Sequence, residues 1–290
     1  MILRLLVLIL VFTITFIGGS TFIEGMVPDT EPEPAFVPGV AGLLIIAAVN
    51  TFVASLLVLT SRWRGWKLAG LLALSWYGVN TFLTQVETWY FLSDINVSSG
   101  VLRGLFLMGI PPALVFIPSS VLILGKWRGG EHPEPAHVCR MPFADWAWRL
   151  ALISVIYVIL YWLAGYFIAW QNPELRAFYG SEGEIAPFWK HTAGTFENEP
   201  GLLLMQLSRG IAWALLALPV IMGSRLNKWS TAVITGLFFS LPSNIVHILE
   251  NPLMPLASVR FSHMVETISS TFIFGIIVTL MLYGRLRQTR

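Results

Sequence analysis

Apolar stretches of twenty or more residues recur along this chain, and no other feature of the sequence limits its fold so tightly. Inside hydrocarbon every backbone N–H and C=O must find a partner within the protein, which leaves helices or a closed barrel. A barrel would show short segments of alternating polarity, so runs of this length read as helices. About 20 residues at ~1.5 Å rise cross ~30 Å of hydrocarbon. Eight segments meet that requirement, at roughly 2–23, 39–61, 68–91, 102–124, 147–170, 201–223, 230–249 and 260–284. Only 12% of the residues are charged and 56% are hydrophobic, against about 25% charged in soluble domains. A water-soluble fold has no way to hide that much apolar surface. The lone cysteine, Cys139, has no internal disulfide partner.

Charge gives the segments an orientation. Basic residues gather in alternate connections: Arg62, Arg64 and Lys67, then Lys126, Arg128 and Arg140, then Arg225 and Lys228, then Arg285, Arg287 and Arg290. With Arg4 and Arg149, thirteen of the eighteen basic residues fall on one side, which the positive-inside rule assigns to the cytoplasm. The opposite connections are acidic, with Glu24, Asp29, Glu31 and Glu33 in the first and Glu174, Glu182, Glu184, Glu197 and Glu199 in the third. Both termini are therefore expected inside, and the expected location is a bacterial plasma (inner) membrane. Residues 1–23 also carry features of a secretory signal, with Arg4 ahead of an apolar stretch and Gly18, Gly19 and Ser20 after it. The internal repeat described next requires this span as the partner of the fifth, so it is expected to be retained.

Arg62, Trp66 and Glu87 have the same spacing as Arg225, Trp229 and Glu250. Arg4 and Arg149 open the first and fifth spans, and Arg103 and Arg260 the fourth and eighth. This self-similarity predicts an all-α integral membrane protein of eight transmembrane helices, built as two four-helix repeats. An even number of spans per repeat makes the two parallel in orientation, related by an axis along the membrane normal. The expected boundaries are 1–125 for the first repeat, 126–146 for a cytoplasmic linker with Pro133, Glu134 and Pro135, and 147–290 for the second repeat. The connection at 171–200, with Phe178, Tyr179, Phe188, Trp189 and Phe196, is long enough to fold down as an outer lid or to anchor at the interface.

Ionisable residues within spans are costly and point to function. Spans seven and eight carry His247 with Glu250 and His263 with Glu266, a His-x-x-Glu in each. Residues three apart share a helix face, and the two helices run antiparallel across a turn containing Pro252 and Pro255. The two histidines are thus expected at similar depth near the outer edge, with Glu266 about one turn deeper. Arg209 lies in the outer half of span six, with Gln206 one turn outward and Glu266 as its expected counter-charge. Charge pairs Glu87–Arg103 and Glu250–Arg260 are expected at the outer edge. Asn50, Asn80, Gln85 and Asn244 could line the same or a duplicate cavity. Pro111, Pro112 and Pro118 are expected to break span four.

Three readings of the cluster stand side by side. Arg209, His247, Glu250, Arg260, His263 and Glu266 could bind a substrate or relay protons, because histidine titrates near neutrality and a desolvated carboxyl rises toward it. His247, Glu250, His263 and Glu266 could instead ligate zinc or iron, although helical di-metal bundles use the reverse order, Glu-x-x-His. The third reading is a structural hydrogen-bonded network. They correspond to a small-solute or proton-coupled transporter, which leads, an intramembrane metal-dependent enzyme, and a non-catalytic subunit or sensor. No cofactor beyond that metal is expected. The expected partners are the lipid bilayer and a small-molecule ligand, without nucleic acid. His132, His137 and Cys139 lack zinc spacing and read as solvated linker residues. No phosphate-binding, dinucleotide, nucleophile-elbow or zincin signature is present.

Overall fold

The computed structural model describes residues 1–93, 95–129, 141–181 and 183–287, the last four as backbone only. Asp94, the linker positions 130–140 with His132, Pro133, Glu134, Pro135, His137, Cys139 and Arg140, and also Glu182 and Arg290, lie outside them.

Among the described residues the secondary structure is helical, with no named strand. The elements are α1 (Ile2–Ile23), α2 (Gly39–Thr60), α4 (Ser99–Ile123), α5 (Phe143–Gln171), α8 (Pro200–Gly223), α9 (Lys228–Ile248) and α10 (Ala257–Arg287). Between them lie α3, made of the abutting stretches Gly65–Tyr77, Gly78–Phe82 and Leu83–Leu92, and the short α6 (Pro173–Phe178) and α7 (Phe188–Asn198). Among the described residues seven helices are long and apolar enough to cross a membrane: all of these except α3, α6 and α7. This is the architecture of a polytopic helical membrane protein, whose outward-facing leucines, isoleucines and phenylalanines meet lipid.

The sequence leads one to expect eight apolar spans, and α3 marks the difference. It is helical where the third was expected, but Ser75, Asn80, Thr81, Thr84, Gln85 and Glu87 dilute its apolar character. It is also irregular, because Gly78–Phe82 takes π-helical turns. The proline-containing α4 breaks at the same level, with π turns over Pro112–Phe116. The two irregular stretches touch: a Cβ on Gly109 would collide with the Thr81 side chain. Missing side chains likewise permit the closest crossings elsewhere. A Cβ on Gly275 of α10 would lie 2.8 Å from the Gly236 Cα of α9, and one on Gly210 of α8 would lie 2.8 Å from the Ser154 Cα of α5. Small residues at such crossings let helix backbones pack closely in lipid.

The packing repeats across the two halves. The helix α1 lies on α2 and α4, as α5 lies on α8 and α10; α3 pairs with α4, as α9 pairs with α10; and α2 crosses to α9 while α8 crosses to α3. Where these crossings meet at the basic face, Arg62 N–H donates to Gly223 O at 2.7 Å and Arg225 N–H donates to Thr60 O at 3.0 Å. Ser61 Oγ accepts from Trp63 N–H at 3.1 Å, and Ser224 Oγ accepts from Leu226 N–H at 3.1 Å. Each member of these matched contacts is 163 positions from its counterpart, as are Thr60 and Gly223, which end α2 and α8.

Candidate functional site

Three of the connections at the acidic face, 24–38, 171–200 and the turn between α9 and α10, position the candidate residues. The first, at 24–38, lies along the turn between α9 and α10: Glu33 N–H donates to Pro255 O at 2.9 Å, Phe36 N–H to Ile248 O at 3.1 Å, and Ala257 N–H to Glu33 Oε2 at 2.6 Å. The last contact places a carboxylate on the N-terminus of α10, where the helix dipole favours negative charge. Arg260 is fully buried and donates to four backbone carbonyls, Met254 O at 3.0 Å, Pro255 O at 2.6 Å, Glu33 O at 2.9 Å and Pro34 O at 3.0 Å. The expected Glu250–Arg260 pair makes no hydrogen bond, because carbonyl oxygens take both Nη atoms, although the Glu250 charge still acts on the guanidinium. Glu250 instead accepts from Ala35 N–H at 3.4 Å.

The long connection at 171–200 divides in two. Asn172 caps α6, its Oδ1 accepting from Glu174 N–H at 2.9 Å, while its Nδ2 donates to Ser262 Oγ at 3.0 Å on α10. Ser258 donates to Glu174, and Leu175 is fully buried. This half folds down on α10 as the lid reading expects. The helix α7 has no fully buried residue and leaves Trp189 79% exposed, in keeping with the interfacial reading. His191 of α7 sits between the rings of Tyr166 and Trp170, and burial lowers its pKa from the ordinary value.

Under the lid, Tyr179 Oη is 2.9 Å from His263 Nε2, and His263 Nδ1 is 3.3 Å from Glu266 Oε2. The His247 ring lies 6.4 Å from that of His263, nearly parallel to it. The two histidines thus share a level, as their spacing predicts. Burial raises the Tyr179 pKa, and the charges of Glu87 and then Glu266 raise it further. The phenol therefore stays protonated, and both carboxylates lie within electrostatic reach of one hydroxyl.

Arg209 is 4% exposed, and its partner is not Glu266. Its Nη2 donates to Glu87 Oε2 at 2.6 Å and its Nη1 to Gln206 Oε1 at 2.8 Å, and its guanidinium lies 5.7 Å from the Tyr157 ring. The crossing of α8 onto α3 brings the first half's carboxylate to the second half's cation. Glu87 is consequently absent from the expected pair with Arg103, whose Nε donates to Ser99 O at the exposed start of α4.

The remaining candidates separate. Asn50 donates from Nδ2 to Ile46 O at 2.9 Å and to Pro242 O at 3.4 Å, an interhelical link at the proline of α9. Asn244 donates within its own helix to Ser240 O. Both polar atoms of Asn80 and the Oε1 of Gln85 are buried without a protein partner, as are Gln206 Nε2, Arg209 Nε and Trp213 Nε1. Among the described residues no three His, Cys, Asp or Glu side chains are grouped as metal ligands, and Glu250 turns to the first connection. Sequence reasoning missed the roles of Tyr179, Tyr157 and Glu33. Only the aromatic richness of 171–200 pointed toward Tyr179, and nothing in it distinguished that residue from its neighbours.

No protein-family model, no curated protein and no solved structure matches the chain.

Proposed function

We propose that the chain is a proton-coupled small-solute transporter of eight spans, α3 included, in a bacterial plasma (inner) membrane with both termini cytoplasmic. The observation that carries this reading is the continuous Tyr179–His263–Glu266 contact, from the lid to a carboxyl that is 7% exposed within α10. An imidazole with a hydroxyl on one nitrogen and a carboxylate on the other takes a proton at one side and releases it at the other by exchanging tautomers. Glu266 receives the proton, and the neighbouring Arg209–Glu87 pair supplies a fixed, internally neutralised polar wall beside it.

Support for two parallel repeats comes from the matched contacts at Arg62 and Arg225 and from the common 163-residue offset of helix ends and crossings. Two such halves around a polar core suit alternating access. The test is reconstitution into vesicles enclosing a pH indicator, with small solutes supplied outside. Glu266→Gln should abolish solute-driven proton movement while membrane insertion stays normal. Unchanged movement in that variant would count against the proposal.

A further inference from the structure

The opposite end of the bundle holds a second concentration of charge, unrelated to the Glu266 cluster. Lys126, just after α4, is 6% exposed, and its ammonium donates to Ser61 O at 2.6 Å, its one acceptor among the described residues. Arg64 Nη1 donates to Arg128 O at 3.1 Å, and Arg225 Nη2 to Leu59 O at 2.9 Å. A Cβ on Gly125 would lie 3.6 Å from Arg4 Nη1, and one on Gly129 would lie 3.3 Å from Arg64 Nη1. Four cations thus surround the turn that follows α4, each using few of its donors. The Nε atoms of Arg62 and Arg64 are buried without a partner.

Nothing described in this region offsets that charge. The described carboxylate at this face, Asp145, accepts from Trp148 Nε1 on its own helix, and Glu131 and Glu134 lie outside the described residues. The stretch Gly65–Tyr77 and the helix α9 both begin here, with no acidic residue in the first turn of either, so their positive dipole ends add to the field. Burial, then Arg225, then Arg64 lower the Lys126 pKa from its ordinary value. Like charges held this close, one of them nearly buried, are costly without a counter-ion. Trp66 is 76% exposed and Trp229 67%. They are equivalent residues flanking the same level, where indole rings settle among lipid headgroups.

We infer that the notch bounded by Arg4, Arg64, Lys126 and Arg225 binds a phosphate-bearing anion. Arginine forks and a lysine point charge match phosphate oxygens, and basic recesses between spans on the cytoplasmic side take acidic headgroups. The phosphate comes either from a lipid headgroup or from free solution, and the experiment separates these sources. Thermal unfolding of the purified full-length protein is followed in phosphatidylcholine nanodiscs, in nanodiscs containing phosphatidylglycerol, and in phosphatidylcholine with added inorganic phosphate. Stabilisation by phosphatidylglycerol alone assigns a lipid, and stabilisation by inorganic phosphate assigns a free anion; either supports the inference. Arg64→Gln and Arg225→Gln, at more exposed side chains than Lys126, should each weaken the response roughly tenfold or more in affinity, while Arg103→Gln at the other face should leave it unchanged. The inference is overturned if neither phosphate source stabilises the parent, or if both variants respond as the parent does.

Discussion

Glu87 and Glu250 are separated by the same 163 residues as the matched contacts at the basic face, yet they carry different loads. Glu87 holds Arg209, a cation that is 4% exposed inside the bundle, whereas Glu250 touches only the amide of Ala35 in a connection. The helices that cross α3 and α9 also differ in sequence at matching positions. Shifting Arg209 of α8 by the 163-residue offset reaches Ile46 of α2, which is fully buried. Among the described residues the Arg209–Glu87 pair thus has no counterpart at Ile46 and Glu250. Positions separated by one fixed offset therefore need not carry the same chemistry: one holds a buried charge pair and the other an aliphatic side chain.

The largest effect should come from Glu87→Gln, which leaves Arg209 without its counter-charge. Removing one member of a buried pair costs about 3–5 kcal/mol, and the partly exposed Glu87 side chain points to the lower end, so chemical denaturation in mild detergent should show a loss of about 3 kcal/mol. Pairing Glu87→Leu with Arg209→Met should restore most of it, because apolar replacement of a whole pair is often neutral. A double variant no more stable than Glu87→Gln would show that the pair is not the source of the cost. Next in size, Tyr179→Phe removes one hydrogen bond to His263, at about 1 kcal/mol. It should slow solute-driven proton movement more than it lowers the melting temperature; equal activity would separate the lid from the relay. Smallest is Glu250→Gln, expected within about 0.5 kcal/mol of the parent, since its contact is long and lies at the surface. A loss matching that of Glu87→Gln would erase the asymmetry between the halves.

Much of the architecture was legible in the residue order. Apolar run length placed seven helices, because hydrocarbon thickness sets a length that a sequence must match. The equal spacing of Arg62, Trp66 and Glu87 with Arg225, Trp229 and Glu250 anticipated the matched turns at the basic face. His247 and His263 were placed at one level by helix periodicity across a short turn, which is local information. The partner of Arg209 was not legible, because it depends on which helices cross. Depth put Glu266 level with Arg209 and left Glu87 at the outer edge with Arg103, and only the packing of α8 against α3 brings Glu87 to the guanidinium. Arg260 was misread for a related reason: a guanidinium needs acceptors rather than carboxylates, and sequence does not show where a loop will bring its carbonyls.

That last arrangement bears on how the acidic face behaves in changing surroundings. Carbonyl oxygens keep their character across the physiological pH range, and a guanidinium stays protonated throughout. The clasp that Arg260 makes between the first connection and the start of α10 therefore stays shut when the medium acidifies. The side chain of Glu33 makes a separate contact, accepting from Ala257 N–H. The frame beside His263 and Glu266 is thus held by contacts that do not depend on the pH of the medium.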